Sequence, residues 1–187
     1  MKKFIKSYLT AFIVLIAVIM NGCDIFENFL FNVPISFQFE ATDPGLLDAG
    51  SACLEDNETY NDVKDDINTI TFVKAYIAVL NVNPSNIQGD ITLELYGGSD
   101  ASGTLLAEFS LNDARPSDYL TTNDPFTPLE IDLGPTTVQA INQYLANDNN
   151  QRCFFGRFVV TDPQNIGITN NITVRLDVLF SVDADLN

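Results

Sequence analysis

The feature that most constrains the fold is an alternation of apolar and polar residues over positions 172–182, near the C-terminal end. The apolar members are Ile172, Val174, Leu176, Val178, Phe180 and Val182. Successive side chains of an extended strand point to opposite faces, so this spacing puts all six on one side. The pattern therefore predicts a β-strand with one buried face.

The same alternation recurs along the chain at residues 33–41, 91–95, 105–111 and 129–133, and residues 152–161 also have the composition of a strand. The segment between the second and third of these, residues 97–103, is rich in glycine and predicts a hairpin. Residues 70–82 are apolar in both alternate sets, which predicts a central strand covered on both faces.

A single helix is predicted at residues 136–147, directly after Gly134 and Pro135. Val138, Ile141 and Leu145 recur at helical spacing, and Thr136 with Gln139 has the form of a capping box. About seven strands with one short helix predict an all-β fold, an antiparallel β-sandwich of immunoglobulin-like or Greek-key type. The strand–helix–strand of residues 129–161 would cross over at one end of the sandwich.

The N-terminal residues have the organisation of an export signal. Lys2, Lys3 and Lys6 precede an apolar run over residues 9–20, which ends at Asn21, Gly22 and Cys23. A helix of about 12 residues would rise about 18 Å, less than the hydrocarbon core of about 30 Å. A cleaved signal is therefore favoured over an uncleaved anchor.

The sequence Ile-Met-Asn-Gly-Cys at residues 19–23 resembles the lipobox of bacterial lipoproteins. The resemblance implies a signal peptide at residues 1–22, fatty acyl chains such as palmitate on Cys23, a lipidated tether at 23–32 and a single domain at 33–187. Two or more acyl chains give stable anchoring. It also implies a membrane-anchored protein of the bacterial cell envelope, on the periplasmic or surface face, with the outer membrane favoured over the inner.

The charge of the chain limits its partners. Cleavage would remove three of the nine Lys and Arg residues, leaving six against 25 acidic residues and a formal net charge of −19. Nucleic-acid binding requires a basic surface and is excluded, and anionic lipid would repel the domain. We therefore expect contact with a membrane only through the lipid on Cys23, and a protein or glycan as the other partner.

Two further cysteines, Cys53 and Cys153, remain in the mature chain. In an exported protein they are expected to form a disulfide, the alternative being two separate buried thiols. The chain has no histidine, which excludes Ser-His-Asp and Cys-His catalysis and the usual zinc and iron ligand sets. No catalytic residue, cofactor or metal ligand is assigned.

The remaining candidates for a functional site are groups of carboxylates. Residues 42–68 are expected to be a long irregular loop, either simply solvated or holding a cation with Asp56, Glu58, Asp62, Asp65 and Asp66. Asp183 and Asp185 would share one face of the last strand as a carboxylate pair.

The sequence as a whole predicts a lipid-anchored envelope protein that is not an enzyme and whose domain binds or scaffolds a partner. One alternative is a carbohydrate- or calcium-binding accessory module, and a second is a carboxylate-based hydrolase.

Overall fold

Strands dominate the computed structural model, which describes residues 28–42, 46–120, 128–147 and 152–185. The strands are β1 (Asn28–Thr42), β2 (Leu47–Cys53), β3 (Ile67–Asn83), β4 (Gln88–Gly97), β5 (Thr104–Ala114), β6 (Leu129–Ile131), β7 (Cys153–Gln164) and β8 (Asn171–Asp185). The helices are α1 (Glu58–Val63) and α2 (Pro135–Leu145), with short 3₁₀ turns at Leu54–Asp56, Lys64–Asp66 and Pro116–Tyr119. Within these residues, no helix has the length and apolar character needed to cross a bilayer.

The strands pair in the order β5-β4-β7-β2-β1-β8-β3-β6, and every pairing between strands is antiparallel. β1 and β2 pair only through Thr42 and Leu47, at the turn that joins them. The sheet is therefore folded into two layers, β5-β4-β7-β2 and β1-β8-β3-β6, an arrangement of jelly-roll type. The predicted all-β antiparallel sandwich of Greek-key type is confirmed, with eight strands in the described part of the chain where about seven were expected.

The core lies between the two layers. β8 buries every second residue from Ile172 to Ala184, and β1 buries Val33, Ile35, Phe37 and Phe39, as their alternation predicts. Rings of opposite layers meet there: the Phe39 and Phe158 centroids are 6.3 Å apart, and those of Phe154 and Phe180 are 5.2 Å apart. Large side chains from both layers thus hold the sandwich together by excluding water.

The prediction that residues 70–82 are covered on both faces is wrong. β3 has one buried and one largely exposed face, and Val73 and Leu80 are exposed. The pairing with β8 shifts register between Phe72 and Lys74 and again between Val79 and Asn81. A bulge adds one residue to the strand. The inward-facing positions therefore change from even to odd numbers at the first bulge and back to even numbers at the second. Two bulges within residues 70–82 therefore give an apolar pattern that looks two-sided.

The prediction of an irregular loop at residues 42–68 is also wrong over most of its length. It holds β2, which pairs with β7 from Leu47 to Cys53, and the short helix α1. The residues of β2 after Asp48 are small, so no alternation of large apolar residues marks the strand. At the N-terminal end, β1 begins at Asn28, so residues 28–32 of the predicted tether belong to the first strand.

Helix α2 connects the two layers at one end of the sandwich, as the crossover prediction requires. It follows β6, which pairs with β3, and precedes β7, which lies between β4 and β2. The predicted capping box at Thr136 is wrong, because Gly134 is the N-cap residue and Pro135 occupies the first turn. Proline suits that position because the first amide of a helix has no intrahelical acceptor.

Candidate functional site

The predicted lipid-attachment residue, Cys23, lies outside the residues that the structure describes. The other two cysteines are joined: Cys53 and Cys153 form a disulfide across a sequence separation of 100. They stand directly opposite each other at the last pair of the β2–β7 ladder. The expected pairing is thus present in the structure, and it fixes one end of β2 to β7.

The candidate cation ligands of residues 56–66 do not converge. The Asp56 carboxylate accepts a hydrogen bond from the Cys53 amide at 2.8 Å, and Asn57 caps helix α1 by accepting one from the Tyr60 amide at 3.1 Å. Glu58 lies in the first turn of that helix. Among the described residues, no group of three or more Asp, Glu, Cys or His side chains could hold a metal ion. The side chains of Asp56 and Asn57 therefore accept hydrogen bonds from backbone amides of their own segment.

Asp183 and Asp185 share the outer face of β8, on either side of the buried Ala184, as predicted from their spacing. The Asp185 carboxylate accepts a hydrogen bond from the Asn68 side chain at 2.8 Å. Both residues are half-buried. A glycosidase holds its two carboxyls on either side of a substrate cleft, whereas Asp183 and Asp185 lie side by side on one face of a single strand.

A polar cluster that the sequence analysis missed lies on the outer face of β4 and β7. Glu94 and Arg157 are ladder partners, and Arg157 donates to the Glu94 carboxylate through Nε. The Tyr96 hydroxyl donates to the same carboxylate oxygen at 2.9 Å and accepts from Arg157 at 3.1 Å. The Glu94 side chain is only 13% exposed. The three residues form a closed hydrogen-bonded set, which we call the Glu94 cluster.

The interaction with Arg157 keeps the Glu94 carboxylate ionised. The pKa of Glu94 lies below its usual range because Arg157 bonds to its carboxylate, while burial acts in the opposite direction. Burial raises the pKa of Tyr96, and the hydrogen bond to Glu94 adds to that effect. Glu94 is therefore an ionised acceptor at neutral pH, which suits it to polar recognition and not to donating a proton.

Aromatic surface adjoins the Glu94 cluster. The guanidinium of Arg157 lies 5.7 Å from the centroid of the Tyr96 ring, and Tyr96 and Phe155 have centroids 6.2 Å apart. Both rings are half-buried on the outer face of the sheet. The sequence could have brought positions 94, 96 and 157 together only if the β4–β7 register were known, because Glu94 and Arg157 are 63 positions apart in sequence.

A second candidate region is the cleft between the strands that end the sheet order, β5 and β6. Two apolar crevices of about 30 and 20 Å³ lie there between the layers. Leu93, Ala107 and Ile131 line the first, Ile91, Leu111 and Leu129 line the second, and Phe109 lines both. We call this region the β5 cleft, and it is where the sheet comes close to closing.

No protein-family model matches the chain, and no curated protein matches it. Similar solved structures include that of Desmodium yellow mottle tymovirus, with a TM-score of 0.36 at 9% identity over 84% of this chain and 90% of the other. The VP2 subviral particle of infectious bursal disease virus gives 0.36 at 11% identity over 86% of this chain and 38% of the other. Tobacco necrosis virus gives 0.34 at 11% identity over 84% and 98%.

Proposed function

We propose that this protein is a lipoprotein of the bacterial cell envelope whose β-sandwich is a non-catalytic binding or scaffolding domain. The observation that carries the proposal is the N-terminal sequence, in which a basic start and an apolar run end at Gly22 and Cys23. Acyl chains on Cys23 would hold the domain at a membrane surface, with the outer membrane favoured.

The position of β1 supports this arrangement. β1 begins at Asn28, five residues after Cys23. Five fully extended residues reach at most about 18 Å, so an anchored domain would stay close to the headgroups. A net charge of −19 makes direct adhesion to anionic lipid unfavourable, which leaves the acyl chains as the attachment.

Intact mass spectrometry of the protein extracted from its own membranes tests the proposal. We expect a chain that begins at Cys23 and carries the added mass of acyl groups. The wild type should partition into detergent, whereas Cys23→Ser should lose that behaviour. The matched control, Cys53→Ala with Cys153→Ala, should still partition into detergent. A wild-type chain that keeps residues 1–22, or whose Cys23 has a free thiol, would contradict the proposal.

A second candidate function is glycan binding at the Glu94 cluster. The favouring observation is the combination of half-buried aromatic rings with an ionised carboxylate and a guanidinium on one sheet face. Sugars are bound by stacking on rings and by hydrogen bonds to charged side chains. In calorimetric titration with a panel of soluble glycans, Tyr96→Ala should abolish any binding, and Tyr76→Ala on β3 should not. Absence of heat with every glycan would exclude this candidate.

A further inference from the structure

One edge of β5 is long and has no partner strand among the described residues. Among the described strands, β5 pairs only with β4, and its eleven residues contain neither proline nor lysine, the residues that commonly block such edges. An unpaired strand edge presents a row of amide and carbonyl groups that can bind an extended peptide as an added strand.

The two crevices of the β5 cleft are spaced for such a peptide. Ala107 and Phe109 line the first, and Phe109 and Leu111 line the second, so the crevices follow one another along β5 with Phe109 between them. Alternate residues of a strand are about 7 Å apart and point to the same face. Side chains at positions i and i+2 of a peptide paired with β5 would therefore enter successive crevices.

The size of the crevices limits which side chains can enter. Volumes of about 30 and 20 Å³ exceed the 10–15 Å³ that one water molecule requires but leave no room for an aromatic ring. Their lining is almost wholly apolar. One methyl group, that of Ala or one of the two of Val, fits this combination of volume and polarity.

The rim of the cleft is acidic. Exposed carboxylates stand at or next to residues that line the crevices: Glu108 on β5, Asp118 in the following 3₁₀ turn, and Glu130 and Asp132 at β6. Lys74 pairs with Glu130 at 3.0 Å, and Arg115 donates to Gln88. Acidic residues thus outnumber basic ones around the opening. A partner with positive charge is favoured, and a second copy of this chain, with its own charge of −16, is not.

We propose that β5 binds an extended basic peptide as a ninth strand, with small aliphatic side chains at i and i+2 in the two crevices and Lys or Arg residues between them. The basic residues face the carboxylates of the rim. This inference assigns a partner to the binding role proposed above and does not depend on the lipid at Cys23. The buried area is small, so the affinity is weak, and salt lowers it further.

Titration of the full-length protein in detergent with a labelled peptide of alternating Val and Lys tests the proposal. We expect saturable binding, and slower hydrogen exchange at the amides of β5 in the complex. A peptide of the same composition with its Val residues grouped together should bind at least about fivefold more weakly, because it cannot fill both crevices.

Two variants with matched controls test the contacts. Glu108→Lys should weaken binding by about fivefold, a size typical of one exposed charge pair, while Asp65→Lys, the same reversal of charge in a distant 3₁₀ turn, should not. Ala107→Leu should fill the first crevice and weaken binding, whereas Ala114→Leu at the end of the same strand should not. Both target residues are at least partly exposed, so we expect the variants to fold.

The following results would overturn the proposal: no binding, equal binding of the grouped and alternating peptides, or protection of amides outside β5. Pairing of two protein copies through β5 in the absence of peptide would also overturn it. Intact mass reports on the anchor separately, so a failure here leaves the lipoprotein proposal unaffected.

Discussion

At the scale of single residues, one glycine controls how closely the two layers approach. A Cβ atom on Gly156 in β7 would lie 2.8 Å from Cζ of Phe39 and 3.1 Å from Cδ1 of Phe37. Both rings belong to β1 in the opposite layer and are buried. The absence of a side chain at position 156 is therefore what lets these rings pack against the β7 backbone.

Gly156→Ala should lower the free energy of unfolding by about 1–3 kcal/mol, because overpacking forces the phenylalanine rings from their positions. The control is Gly50→Ala at its ladder partner in β2, where a Cβ would meet no atom within 4 Å. That variant should be neutral or slightly more stable. Urea unfolding of both variants measures the difference, and equal losses would contradict this account of Gly156.

The Glu94 cluster makes a prediction about pH. The folded state lowers the pKa of Glu94, so the charged form is favoured by folding. The stability that ionised Glu94 adds to the folded state is fully present above the unfolded pKa of about 4.3. It is lost as the pH falls from that value through the lower pKa of the folded state. Glu94→Gln should therefore destabilise the protein at about pH 7, by about 1–2 kcal/mol, and much less at about pH 3.

Denaturant unfolding of wild type and Glu94→Gln at the two pH values measures this effect. Glu55→Gln, which removes an exposed carboxylate from a 3₁₀ turn, is the control. A loss of stability for Glu94→Gln that stays constant with pH would show that packing, and not the charge, stabilises this site.

At the scale of elements, helix α2 is fixed to both layers by two side chains. Asn142 accepts a hydrogen bond from the Phe72 amide at 2.7 Å, beside the β3 bulge between Phe72 and Lys74. Tyr144 donates to the Cys153 carbonyl in β7 at 2.6 Å. A bulge removes a residue from its ladder, and an amide left without an acceptor away from water is costly. The helix therefore supplies an acceptor that the sheet does not.

Asn142→Leu should lower the free energy of unfolding by about 1–3 kcal/mol because the Phe72 amide loses its acceptor. Hydrogen exchange at that amide should become faster. Gln143→Leu at the neighbouring exposed position leaves the contact intact and should change neither quantity. If exchange at Phe72 were the same in wild type and Asn142→Leu, the helix would not stabilise the bulge.

At the scale of the whole molecule, the disulfide connects distant parts of the chain. Cys53 and Cys153 enclose α1, β3 to β6 and α2, so the bond constrains most of the unfolded chain. On the chain-entropy model, a loop of this length contributes up to about 4–5 kcal/mol. The strands that it joins, β2 and β7, belong to the layer that carries the Glu94 cluster.

Replacing both Cys53 and Cys153 by Ala should lower the free energy of unfolding by about 2–5 kcal/mol. Addition of a reductant to the wild type should give a similar loss, and the same reductant should have no effect on the double variant. Denaturant unfolding under oxidising and reducing conditions provides the comparison. Insensitivity of the wild type to reductant would show that the bond does not stabilise the domain in solution.

The sequence by itself determined the fold class, the buried faces of β1, β4 and β8, the β4–β5 hairpin and the position of α2. Each of these depends on local periodicity or on turn residues, and both are properties of contiguous residues. It also supplied the choice of Cys53 and Cys153 as partners, because the lipoprotein resemblance left only these two cysteines.

Only the tertiary structure decided which further segments form strands and which distant residues meet. β2 is a strand because β7 offers it a partner, and β3 changes its buried set because bulges shift its register against β8. The Glu94 cluster and the β5 cleft each join residues from strands far apart in sequence. Pairing register and the order of strands set such contacts, and a linear pattern carries no record of either.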